Sequence, residues 1–297
     1  MYPRRQLAAL GLPGTIWVAL FVATALYALI AIAVGGIDPI LLSPVPTWNP
    51  LHWSFGNLQS VATALKPFSG TDWTVFQRTA IYIAIAMAGC VLIGYPVAYF
   101  VALRARRTKG LVLALFVAPF LVSYMLRMLA WVGLLSPDGW INAILMDLGL
   151  MKTQYNWLSG RAFVVVIALI YGWVPYFILP LYAVLARFDQ RYLEASKDLG
   201  APPWQTFLRV TLPLSKQGIY AGMVVVALPM FGDFFTQQLV AGTATTAMVG
   251  TLINTYAQSQ TDQTLAAASA VWLVAFLALL LAPYLRSSGR ATEEMAG

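Results

Sequence analysis

Six apolar runs of about twenty residues or more constrain this chain before any single residue does. They cover roughly residues 14–34, 79–103, 111–135, 162–186, 217–240 and 265–285. A helix rises about 1.5 Å per residue, so each run is long enough to cross a hydrocarbon core of about 30 Å. Lipid offers the backbone no hydrogen-bond partners, and a helix satisfies its amides internally. The chain therefore reads as an all-α polytopic membrane protein with six transmembrane helices, one domain over residues 1–297. Composition agrees, with 60% hydrophobic and 10% charged residues, against roughly 25% charged in a soluble domain.

The formal net charge of +7 does not point to nucleic acid, because the basic residues are spread over loops that flank the apolar runs. Thirteen lie on one side: Arg4, Arg5, Arg104, Arg106, Arg107, Lys109, Arg187, Arg191, Lys197, Arg209, Lys216, Arg286 and Arg290. Four lie on the other: Lys66, Arg78, Lys152 and Arg161. Cytoplasmic loops carry the excess of Lys and Arg, so both termini are expected in the cytoplasm and the first run is expected to be an uncleaved signal anchor. Cys90 is the only cysteine and His52 the only histidine. That excludes an intrachain disulfide and a Cys- or His-built metal site, and no catalytic residue is expected.

Between the runs, Gly35 to Gln77 carries Pro39, Pro44, Pro46 and Pro50 with Trp48, Trp53 and Phe55, the composition of an ordered interfacial cap or of simple interface anchors. Ser136 to Gly160 opens with the turn sequence SPDG and continues INAILMDLGL, whose helical spacing predicts a short interfacial helix. The stretch from Ala241 to Gln263 holds no charge before Asp262 and is apolar enough to re-enter the membrane partway.

The polar interruption at residues 187–216 is the most specific signal. From Glu194 to Pro213 it reads EASKDLGAPPWQTFLRVTLP. Gly200 suits a sharp joint between two short helices, and Pro202 and Pro203 suit the opening of the second, where a missing amide hydrogen costs little. Glu194-Ala195-Ser196, then Gly200, then Val210, Leu212 and Pro213 resemble the EAA loop of bacterial ABC importer permeases, with Ser196 in place of Ala and Val210 in place of Ile. Two further stretches, Arg78 to Ala102 and Ala118 to Leu145, resemble spans of spermidine/putrescine-type (PotB-like) permeases, and Leu228 to Gly242 carries that group's acidic residue after glycine followed by an aromatic. Before Arg78 nothing is carried over.

The resemblance implies a type I importer permease (MetI-like) fold in the bacterial plasma (inner) membrane, forming half of a polyamine path. It implies a dimeric ATP-binding subunit docked at the loop, a second homologous permease and an exported or periplasmic solute-binding protein. The chain contains no G-x-x-x-x-G-K-[ST] run, so ATP and Mg are expected on the separate ATPase, with no cofactor on this chain itself and membrane lipid as its other partner. Related permeases carry ferric iron, thiamine or phosphonates, which stay open as cargo. An ion-coupled secondary transporter would show inverted repeats or several intramembrane acids, and the runs hold one candidate.

That candidate is Asp233, and Arg127 is its counterpart in the third run. A charge at the bilayer centre costs about 2.5 kcal/mol or more, so each should face the bundle interior or a wet cavity. Asp233 either attracts a cationic solute, with Tyr124, Trp131, Trp173 and Phe234 offering aromatic faces to ammonium groups, or neutralises Arg127 and locks the third run to the fifth. Both readings stay open.

Overall fold

The apolar runs fold as helices, but two of the six break where a proline or an aspartate interrupts the amide ladder. The computed structural model describes residues 4–68, 70–105, 109–189 and 191–294, with side chains from Gly11 to Ala282. Arg106 and Arg107 lie outside the described residues, as do the side chains of Arg4, Arg5, Arg286 and Arg290. Among the described residues, six helical segments are long and apolar enough to cross a membrane: Gly11–Ala33, Trp73–Leu103, Tyr124–Asp147, Ala162–Leu185, Pro203–Gly232 and Gln263–Ala282. The fold is the expected all-α, six-span one. It divides into two compact units, Met1–Thr74 with Leu252–Leu280 and Val75–Thr251 with Leu281–Gly297.

The first unit contains helix α1 (Arg4–Ala33), a two-residue hairpin of β1 (Gly36–Ile37) and β2 (Pro44–Val45), and helix α2 (Gly56–Ala64). The loop after α1 is ordered by polar side chains. Asp38 Oδ1 accepts from the amides of Ile40 and Leu41 at 2.7 and 3.0 Å, and these bonds hold its carboxyl below the ordinary range. The Tyr27 hydroxyl donates to the Trp48 carbonyl, the Trp53 indole to Thr47 O, and Asn57 Nδ2 to the carbonyls of Ala33 and Gly35. Ala33, Val61, Ala267 and Ala268 form the unit's apolar centre.

In the second unit helix α3 (Trp73–Leu103) is unbroken. The third expected span, 111–135, is not. It forms α4 (Lys109–Val117), a 3-10 turn over Ala118–Leu121, an extended Val122, and α5 (Tyr124–Leu135). Pro119 has no amide hydrogen to donate, which ends the α4 ladder there. Helix α6 (Trp140–Asp147) is the expected short helix after the SPDG turn. It is tied down by Asn142, whose Nδ2 donates to Ser136 O, Pro137 O and Tyr155 O while its Oδ1 accepts from Tyr155 N and Trp157 Nε1.

Helix α7 (Ala162–Leu185) is the most buried span. After it come α8 (Arg191–Asp198), α9 (Pro203–Thr206), a five-residue π segment (Phe207–Thr211) and α10 (Leu212–Gly232). Phe177 of α7 is fully buried. A Cβ on Gly222 of α10 would sit 2.8 Å from its ring, so only glycine permits this approach. The fifth expected span, 217–240, also breaks: α10 ends at Gly232 and a second helix, α11 (Phe235–Val240), follows. The Asp233 carboxylate accepts from the Thr236 amide at 3.1 Å, acting as a cap that competes with a continuous helix.

The charge-free stretch after α11 folds as a 3-10 turn at Ala244–Thr246 and helix α12 (Val249–Gln258), followed by α13 (Gln263–Glu294). Arg78 donates to the carbonyls of Ala244 and Ala247, and Thr79 Oγ1 accepts from Val249 N at 2.9 Å. Buried Gln237 binds Thr243 O, Thr246 Oγ1 and Thr251 Oγ1. A polar loop is thus held by side chains from α3 and α11.

Candidate functional site

Two places in the second unit carry chemistry suited to transport: a buried polar cluster within the spans and the polar loop between α7 and α10. In the cluster, the breaks in the third and fifth spans leave backbone and polar side chains to be satisfied. Asp233 and Arg127 are each only 6% exposed. Asp233 Oδ2 accepts from the Tyr124 hydroxyl at 2.6 Å and the Thr236 hydroxyl at 2.5 Å, and the two hydroxyls are themselves 2.6 Å apart. Neutral donors from α5 and α11 therefore surround a carboxylate.

Arg127 makes no ion pair with Asp233. Its guanidinium lies 5.3 Å from the centre of the Tyr124 ring, Nη1 donates to Gly172 O at a long 3.4 Å, and Nε has no partner. The reading in which Asp233 neutralises Arg127 is corrected on this point, since Tyr124 engages both charges in place of a direct pair. The Trp173 ring packs 5.3 Å from Tyr124 and continues through Tyr176 to Phe120. Of the aromatic candidates, Tyr124 and Trp173 join the cluster. Trp131 meets Tyr171 edge-to-face beside the apolar group of Met128, Leu135, Val164, Ala168 and Val240, and Phe234 stacks on Phe235 at 4.0 Å. Thr236 is a cluster member that sequence reasoning missed. Its signal was present in Asp233-Phe234-Phe235-Thr236, an aspartate three residues before a hydroxyl at the start of a helix.

The loop forms two short helices joined at Gly200. Gly200 has φ of +76°, its amide donates to Lys197 O at 2.8 Å, and the Ala201 amide donates to Ser196 O at 3.1 Å. These two bonds close α8 with a left-handed glycine cap. Pro203 opens α9, and the carbonyl of Pro202 just before it accepts from the amides of Gln205 and Thr206 at 2.9 and 3.1 Å. Glu194 and Ala195 are exposed, while Ser196 is buried and its hydroxyl lies 2.8 Å from that of Thr206. The substitution of serine for the usual alanine therefore supplies a bond that staples α8 to α9. Val210 lies in the π segment, and Leu212 and Pro213 begin α10. Tyr192, Leu199, Trp204 and Leu208 are exposed large side chains on this loop, an apolar surface of the kind a protein partner covers.

Residues 90–288 match the family described as binding-protein-dependent transport system inner membrane component. The chain belongs to this family. The permease is 33% identical over 204 residues to the spermidine/putrescine transport system permease protein PotB of Escherichia coli (strain K12), covering 69% of this chain and 74% of that one. It is 35% identical over 204 residues to PotB of Haemophilus influenzae (strain ATCC 51907 / DSM 11121 / KW20 / Rd), covering 69% and 71%. In structure it resembles a bacterial alginate ABC transporter solved in complex with an alginate pentasaccharide-bound periplasmic protein, at a TM-score of 0.67 and 18% identity over 97% of this chain and 95% of that one. That likeness bears on the fold alone, which is the ABC importer permease fold. The permease is a multi-pass inner-membrane subunit of an ABC importer and not an enzyme.

Proposed function

We propose that the permease carries polyamines, forming half of an ATP-driven import path for spermidine or putrescine. The observation that carries this reading is the identity of about one residue in three to PotB permeases over 69% of the chain. The cluster chemistry supports it. Asp233 is a buried acid whose present partners are all neutral, so an ammonium group would supply the countercharge it lacks.

In this reading the loop from Glu194 to Pro213 docks on a dimeric ATP-binding subunit that holds ATP and Mg, a second permease completes the path, and an exported binding protein delivers the solute. Exposed Leu199 and Trp204 beside Glu194 support docking at this surface. The thirteen-to-four division of basic residues supports cytoplasmic termini and puts the docking loop on the same side.

A second reading draws on Arg127, whose guanidinium has no carboxylate partner: the path would take an anionic solute such as a phosphonate. Calorimetry on the binding protein that delivers solute to this permease separates the two. Tight binding of spermidine or putrescine, with none for phosphonates or thiamine, is the expected result. Tight binding of a phosphonate without polyamine binding would overturn the polyamine reading.

A further inference from the structure

The coupling loop touches the spans at a place its motif does not include. Phe207, the first residue of the π segment, is half-buried and presents its ring to two tyrosines of α3. Its ring meets Tyr95 at 5.5 Å and 89°, and Tyr99 at 6.1 Å and 82°, both edge-to-face. Such pairs are directional and add to the area they bury. Tyr95 is itself anchored, because its hydroxyl lies 2.8 Å from the hydroxyl of fully buried Ser215 on α10. Phe207 and Ser215, eight residues apart, therefore hold one α3 tyrosine from both sides of the start of α10.

The backbone between these two contacts is unusual. Phe207–Thr211 is a π segment, and the Thr211 hydroxyl is buried with no partner. A π segment carries one residue more per turn than the α helix that continues it, and such insertions recur at functional sites. Phe207 opens this segment against α3, the motif residue Val210 lies within it, and the motif residues Leu212 and Pro213 begin α10.

We propose that Phe207 is a positioning residue for energy coupling: it plugs the loop into the Tyr95–Tyr99 socket, so that displacement of the loop moves α3 together with α10. The chain itself carries force into α7 and α10, and the aromatic socket carries it into α3. This rests on the reading that the loop receives the ATPase. Exposed neighbours such as Leu208 have no share in it.

The test uses the whole transporter in proteoliposomes, with both permeases, the ATPase subunit and the solute-binding protein. In a Cys90→Ala background, spin labels at Asp198→Cys and Phe100→Cys, both exposed, report the distance from loop to α3 with and without ATP–vanadate. With Phe207 present, the distance distribution is expected to be the same in both states. Phe207→Leu, which keeps apolar bulk and loses the ring, is expected to shift or broaden it on trapping, and Phe207→Tyr to restore it. In the same complexes, uptake of radiolabelled spermidine per ATP hydrolysed should fall about tenfold in Phe207→Leu, the size of an ordinary coupling energy, while the ATPase subunit still copurifies.

A wild-type distance that changes on trapping, or a Phe207→Leu complex with wild-type distances and coupling, would overturn the proposal. So would loss of the ATPase subunit from Phe207→Leu, which would make Phe207 part of the docking surface. Glu194→Lys keeps the docking reading separate. If that variant retains the ATPase and full coupling, docking at this loop is wrong whatever Phe207 does. The distance arm needs no cargo, so failure of polyamine transport leaves it decisive.

Discussion

At the scale of single residues, the permease places a buried carboxylate next to hydroxyls and keeps its buried guanidinium apart from it. The Tyr124 hydroxyl donates to Asp233 while its ring lies beside Arg127, so one side chain serves both charges. Tyr124→Phe keeps the ring and removes the donor, and it should lower stability by about 1–3 kcal/mol, the cost of leaving a buried acceptor one bond short. Thermal unfolding in detergent measures it. A variant as stable as the parent would show that Thr236 alone satisfies the carboxylate. Asp233→Asn should reduce spermidine uptake per molecule if the carboxylate meets the cargo. Unchanged transport by a less stable protein would make Asp233 a structural cap and nothing more.

The need for a partner at Asp233 and Arg127 was legible in the sequence, because charges in apolar runs must be answered. The identity of those partners was not. Tyr124 and Asp233 are 109 positions apart, and no local pattern brings them together. Ser196 shows the converse: its motif position was plain, while the reason for a hydroxyl there appeared only with Thr206 facing it.

At the scale of elements, hydropathy located the spans and missed their interruptions. A single Pro119 or Asp233 hardly changes the average over twenty residues, yet each ends a helix through one missing or diverted amide bond. The coupling loop was more legible, since Gly200 and the proline pair act through backbone conformation that sequence encodes directly. With φ at +76° and no atom within 4 Å of an added Cβ, Gly200→Val should cost about 1–2 kcal/mol through conformation alone. Its expected signature is weakened retention of the ATPase subunit at unchanged amounts of permease in the membrane, read by copurification.

The α6 region invites a similar test. Asn142 is 1% exposed and serves five bonds. Asn142→Ala should destabilise the second unit by something of order 3 kcal/mol, because several backbone groups lose their partner together. Faster proteolysis between Ser136 and Gly160 would be the readout, and an unchanged cleavage rate would contradict the role given to Asn142.

At the scale of the whole molecule, the proposed function requires the permease to convert a displacement at one loop into rearrangement of its spans. Helix α10 is continuous with the loop, and its Gly222 lies directly against Phe177 of the most buried span. Close-packed interfaces of this kind shift as rigid bodies and do not deform smoothly. On the proposed reading, displacement delivered at Pro213 would reach the Asp233 cluster through α10, which runs from Leu212 to Gly232 and ends at Asp233. That reading puts cargo at one end of α10 and drive at the other. The most direct measurement is ATP-dependent uptake of radiolabelled spermidine into proteoliposomes holding this permease with its second permease, ATPase and binding protein. Uptake that requires ATP and is abolished by Glu194→Lys is the expected result. Absence of spermidine uptake while the same vesicles import an anionic solute on ATP, or uptake indifferent to Glu194→Lys, would contradict it.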